Sequence, residues 1–187
     1  MEIRKIVVPV DFSEFSDKAV GIAEKIARKF SANITLAHVI ITHPEAHYSD
    51  DQNSYQTLIQ KRQAHVEQQF AVQFEERAAQ KSPMDFVILR GLSPADCLRE
   101  FIINNDYDLV VLGTHGKSGY RHFVQGSVAE KLVQASPIPV LTVHHSLDVP
   151  RIKRVLVPVD FSSFPSKRFT LPMKLPGNLP RNWFFYM

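Results

Sequence analysis

With 187 residues, 44% of them hydrophobic and 22% charged, the chain has enough apolar material for one well-buried domain plus an extension. No apolar run reaches the ~18–20 residues of a membrane span, Met1-Glu2-Ile3-Arg4-Lys5 has no signal-peptide pattern, and a single cysteine, Cys97, excludes an internal disulfide. The net charge of +3 is regional: residues 151–187 hold seven Lys/Arg and one acid, Asp160, leaving 15 Lys/Arg against 18 Asp/Glu in residues 1–150. The main domain is therefore mildly acidic and lacks the basic face of a nucleic-acid binder. These features point to a cytoplasmic protein with neither nucleic acid nor membrane among its partners.

Ile6-Val7-Val8-Pro9-Val10 is a continuous β-branched run, the pattern of a strand buried on both faces. Asp11-Phe12-Ser13 ends it, and Ser13 caps a predicted helix over 14–30, with Phe15, Ala19, Ile22, Ala23 and Ile26 on its apolar stripe. A second strand covers 33–40. The segment 51–80 has no Gly or Pro, and Tyr55, Ile59, Val66, Phe70 and Phe74 recur at near-helical spacing, predicting one long helix. A third strand, 85–89, closes at Arg90-Gly91. Ser93-Pro94 then starts a helix to about residue 105. A fourth strand covers 109–112, a helix 128–134 and a fifth strand 139–143. His38, inside the second strand, reads as a structural histidine held by a hydrogen bond, and Cys97 as a small buried residue.

Strict β-α alternation demands an open five-stranded parallel sheet with helices on both faces, a Rossmann-like α/β fold. One reversal of strand order is expected, with a ligand at the carboxyl ends of the strands beside it. Asp11, Val39, Gly91 and Gly113 all follow strands and gather on that rim.

Residues 3–18 return at 152–167, a constant offset of 149 with 9 of 16 positions identical. The domain therefore covers 1–146, and 147–187 begin a second copy with a strand at about 152–159. The copy then fails: Pro165, Pro172, Pro176 and Pro180 break any helical pattern, and the chain ends Trp183-Phe184-Phe185-Tyr186-Met187. Two readings stand: a tandem-domain protein cut short, by a frameshift for instance, or a C-terminal arm whose strand adds to a sheet edge or a partner subunit.

Between the fourth strand and its helix lies Gly113-Thr114-His115-Gly116-Lys117-Ser118-Gly119-Tyr120-Arg121-His122-Phe123-Val124-Gln125-Gly126-Ser127. Glycines let backbone N–H groups approach anionic oxygens. Gly126-Ser127 open a helix whose N-terminal amides favour phosphate, and Lys117, Arg121 and His122 add positive charge. Ser127-Val128-Ala129-Glu130 is also a capping box, which accounts for Ser127 without a ligand. The loop is neither a Walker P-loop nor the dinucleotide fingerprint.

Gly113, Gly116, Gly126 and Ser127 fit Gly-x2-Gly-x9-Gly-Ser without a gap, and with Val8-Pro9-Val10-Asp11-Phe12-Ser13, Leu36-Ala37-His38-Val39 and Ser136-Pro137-Ile138-Pro139-Val140 the chain resembles the universal stress protein family, in its ATP-binding branch. The resemblance covers 1–145 and restarts at 152. It implies ATP as ligand, with Mg²⁺ or Mn²⁺ bridging phosphate oxygens. Val10 and Asp11 would meet the adenosine, and Val39 would offer backbone groups to adenine. Leu112, Gly113, Thr114, His115 and Gly116 would line the ribose and first phosphates, and Gly126, Ser127 and Val128 would hold the outer ones. A homodimer through the fifth strand is implied too. The leading function is a nucleotide-binding stress or signalling module, with one nucleotide per chain. A slow ATPase or adenylate-handling hydrolase, and a nucleotide-independent interaction module, are the alternatives. No catalytic residue stands out near the loop.

Overall fold

The computed structural model describes residues 2–42, 52–81, 84–114 and 127–143. Its elements run β1 (Lys5–Pro9), α1 (Glu14–Phe30), β2 (Asn33–Ile41), α2 (Gln52–Lys81), β3 (Met84–Gly91), α3 (Pro94–Asn104), β4 (Leu109–Gly113), α4 (Ser127–Ala135) and β5 (Val140–Val143). All four pairings are parallel, in the order β3-β2-β1-β4-β5. The predicted α/β fold holds, and the chain reverses direction across the sheet once, between β1 and β4.

The unbroken apolar runs of the two central strands feed two separate cores, because a pleated strand points successive side chains to opposite faces. Ile6, Val8, Leu109 and Val111 pack with Ala19, Ala23, Phe70 and Phe74 of α1 and α2. Val7, Val110 and Leu112 pack with Leu98, Ile102, Ala129 and Leu132 of α3 and α4. Ile6, Val7, Val8, Val110 and Val111 are each fully buried. Burying such a side chain stabilises by about 1.5–3 kcal/mol, so these strands anchor the fold.

Ser13 and Ser93 cap their helices as expected: Ser13 Oγ accepts from Ser16 N at 3.2 Å, and Ser93 Oγ from Asp96 N at 3.5 Å. The buried stripe of α1 contains the predicted Ala19, Ile22 and Ala23 and adds Ser16, Val20 and Ala27, while Phe15 and Ile26 are half-buried at its margins. Small side chains let α1 lie close to the sheet, a requirement that hydrophobicity alone does not reveal. The α2 stripe is as predicted, with Ile59, Val66, Phe70 and Phe74 buried and Tyr55 packed at its edge. Cys97 is half-buried, with Sγ 3.8 Å from the Arg90 carbonyl.

Candidate functional site at the strand-order reversal

The site begins with a divergence. The β1–β4 register covers Ile6↔Leu109 and Val7↔Val110, whereas β1–β2 pairing runs on to Pro9↔Ala37. Beyond Val7 the two central strands no longer pair, and a crevice opens at their carboxyl ends, where ligands of doubly wound sheets bind.

Four segments reach this rim. Val10 and Asp11 follow β1; the Val10 side chain is buried, and Asp11 Oδ1 accepts from Ser13 N at 3.0 Å, closing a turn into α1. Val39, in β2, is half-buried against the α3–α4 core. Leu112 is buried in that same core, and Gly113 ends β4. Thr114 follows, wholly buried, its N–H and hydroxyl 3.2 and 3.4 Å from the Val143 oxygen. Its side chain thus ties β4 to β5, a role its place in the glycine loop did not suggest. Opposite them α4 starts at Ser127, with Val128 half-buried against the α3–α4 core. A helix leading from the carboxyl end of β4 into parallel β5 presents its N-terminus, and the positive end of its dipole, to this rim.

His115, Gly116, Arg121, Gly126 and the Ser127 side chain lie outside the described residues, as do Lys117, His122 and the strand expected at 152–159. So does any test of the capping box at Ser127. Among the described residues no three His, Cys, Asp or Glu side chains gather as metal ligands, and no helix is long and apolar enough to cross a membrane.

Phe12 escaped the sequence reading. Its φ is 62°, in the left-handed region where a bulky residue is rare. Its ring lies 5.0 Å from His38, 5.0 Å from Phe70 and 6.4 Å from Phe74. The available signal was an aromatic residue placed between a strand-ending Asp and a capping Ser, where a turn is required. His38 does make the hydrogen bond expected of it: Nδ1 lies 2.7 Å from the Val10 oxygen. A carbonyl only accepts, so the proton is on Nδ1.

An open parallel sheet with helices on both faces and a crevice at its switch point defines a Rossmann-like α/β protein. The sequence profile of the universal stress protein family matches residues 2–144, and the chain belongs to that family. A universal stress protein of Methanocaldococcus jannaschii is 30% identical over 142 residues, covering 75% of this chain and 81% of the relative. Among solved structures, the universal stress protein UspA from Lactobacillus plantarum shares the fold with a TM-score of 0.65 at 23% identity, covering 77% of this chain and 99% of that one. A universal stress protein solved in complex with cAMP gives a TM-score of 0.54 at 24% identity, covering 77% and 98%.

Proposed function

We propose that the chain binds an adenine nucleotide in the crevice between β1 and β4 and serves as a nucleotide-responsive stress or signalling module. The observation that carries this reading is the strand-order reversal itself. It sets Val10-Asp11, just after β1, beside Gly113 at the end of the neighbouring β4, where the two strands part at their carboxyl ends near the N-terminus of the nine-residue α4. The cAMP complex of a relative with the same fold supports the ligand class.

ATP is the nucleotide proposed, with adenosine over Val10, Asp11 and Val39. The phosphates would lie along Gly113, Thr114, His115 and Gly116 toward Gly126, Ser127 and Val128, beside Arg121. Mg²⁺ or Mn²⁺ would arrive with the phosphates. Magnesium is commonly held by one or two carboxylates plus substrate phosphates, and Asp11 is a carboxylate at this rim. A homodimer through residues 139–143 belongs to the same proposal. In support, β5 lies at the sheet edge with Val140 and Leu141 half-buried, and such an edge calls for a cover. Residues 147–187 are proposed as the start of a second domain copy, and the cytoplasm as the compartment.

The test is mass spectrometry of nucleotide released from the purified full chain, followed by calorimetry with ATP, AMP and cAMP. An adenine nucleotide at about one per chain is expected. A folded chain that takes up none of the three overturns the reading.

A further inference from the structure

We propose that His38 is a positioning residue of the nucleotide site: its imidazole takes over the Val10 carbonyl, ends the β1–β2 ladder one bond early and leaves the Val39 backbone turned toward the crevice. The inference rests on the nucleotide reading above and gives that site a residue that acts without touching the ligand.

Hydrogen-bond parity along β2 carries it. Asn33 N donates to Arg4 O at 2.8 Å, and Ala37 O accepts from Val10 N at 2.9 Å, so odd-numbered residues turn their backbone toward β1. Thr42 N donates to Gly91 O at 3.0 Å, so even-numbered residues turn toward β3. Val39 therefore faces the β1 side. In a regular parallel ladder the next bond would run from the Val39 N–H to the Val10 oxygen. That oxygen instead accepts from His38 Nδ1 at 2.7 Å, and the register stops at Pro9↔Ala37. The Val39 N–H is left out of the ladder at the mouth of the crevice, where an adenine edge, with its ring-nitrogen acceptors and amino group, pairs with one peptide unit.

The same ring holds the turn that carries Asp11. Phe12 packs against His38 at 5.0 Å and against Phe70, itself buried, at 5.0 Å edge-on. This packing, together with the neighbouring hydrogen bonds of Val10 and Asp11, holds Phe12 at φ 62°, a backbone conformation an L-residue resists. From there Asp11 Oδ1 reaches Ser13 N. His38 thus fixes two sides of the crevice at once, the Val39 backbone and the Asp11 turn, by one hydrogen bond and one ring contact.

The experiment compares His38→Ala and His38→Asn in the full chain. The Asn side-chain amide sits where Nδ1 sits and donates the same bond. Calorimetry with ATP should show affinity about tenfold weaker in His38→Ala and largely restored in His38→Asn, with both variants folded by circular dichroism. Amide exchange gives a readout that needs no nucleotide. The Val39 amide should exchange fast in the ligand-free chain and slow down in His38→Ala, where the ladder is free to extend to Val10. Equal ATP affinity in His38→Ala and wild type, or a protected Val39 amide in ligand-free wild type, overturns the positioning role. If wild type binds no nucleotide while the exchange pattern is as stated, the nucleotide reading fails and the ladder switch stands.

Discussion

A methyl group placed on Gly113 would lie 2.7 Å from the carbonyl carbon of Phe15 and 2.8 Å from its oxygen. The end of β4 therefore runs directly beneath the first turn of α1, and no side chain fits between them. The φ of Gly113 lies outside the left-handed region, so the demand is for space, not for an unusual backbone. Gly113→Ala must push α1 off the sheet. The expected cost is about 2–3 kcal/mol, in the upper part of the range for overpacking, or a fall in Tm of about 5–10 °C. Thermal unfolding of the ligand-free chain measures it, and an unchanged Tm would remove this explanation for the glycine.

Arg77 joins α2 to α1. Its guanidinium lies 2.5 Å from Asp17 and 3.7 Å from Glu24, whose side chain is only 5% exposed. Removing Arg77 leaves the Glu24 carboxylate buried without its counter-charge. Arg77→Ala is expected to destabilise by about 3 kcal/mol, the low end for a broken buried pair because Arg77 is itself 29% exposed. Adding Glu24→Leu should recover most of that loss, since the uncompensated charge goes with it. Urea unfolding of the single and double variants tests this, and a double variant no more stable than Arg77→Ala would refute the pairing.

Burial holds the Tyr107 hydroxyl above its ordinary pKa of 10.0; repulsion from Asp85 adds to the shift, and a hydrogen bond with Thr35 opposes it. The folded state thus keeps its proton to higher pH than the unfolded state does. Tyr107 contributes stability that is complete below pH 10 and is lost as pH rises through the raised folded value. Tyr107→Phe should flatten this part of the alkaline stability profile and remove one late-titrating phenol from the ultraviolet tyrosinate titration. If the Tyr107→Phe variant keeps the same alkaline slope as wild type, the loss belongs to another group.

What the sequence displayed and what it hid have different physical origins. Ile6-Val7-Val8 and Leu109-Val110-Val111-Leu112 announced central strands because burial on both faces leaves no polar position to interrupt them. The order β3-β2-β1-β4-β5 was legible only as one expected reversal, since strand neighbours are set by crossovers between distant segments. At the site, Asp11, Val39 and Gly113 were placed on one rim by the rule that loops after parallel strands share an end. The glycine spacing pointed to phosphate but was silent on Phe15, because the contact that demands Gly113 comes from a residue 98 positions earlier. His38 was read as structural from its apolar neighbours. Its bond to Val10 confirms that reading, while the effect on Val39 needed the ladder parity, which no local pattern encodes.

Phe12 gives the sharpest separation of backbone and side-chain effects. Truncating its ring removes contacts with His38, Phe70 and Phe74 whether the replacement is Ala or Gly. The two replacements differ at the backbone. Alanine keeps a Cβ at φ 62° and so keeps a strain of about 1–2 kcal/mol, whereas glycine adopts this conformation freely. Glycine also loses more entropy on folding, which offsets about 0.5–1 kcal/mol of that advantage. Phe12→Gly is therefore expected to be more stable than Phe12→Ala by about 0.5–1 kcal/mol, the reverse of the usual order at an ordered position, with both below wild type. Denaturant unfolding of the two variants side by side decides it. If Phe12→Ala is the more stable, the left-handed turn relaxes once the ring is gone, and the aromatic packing, not the neighbouring hydrogen bonds of Val10 and Asp11, is what imposes it.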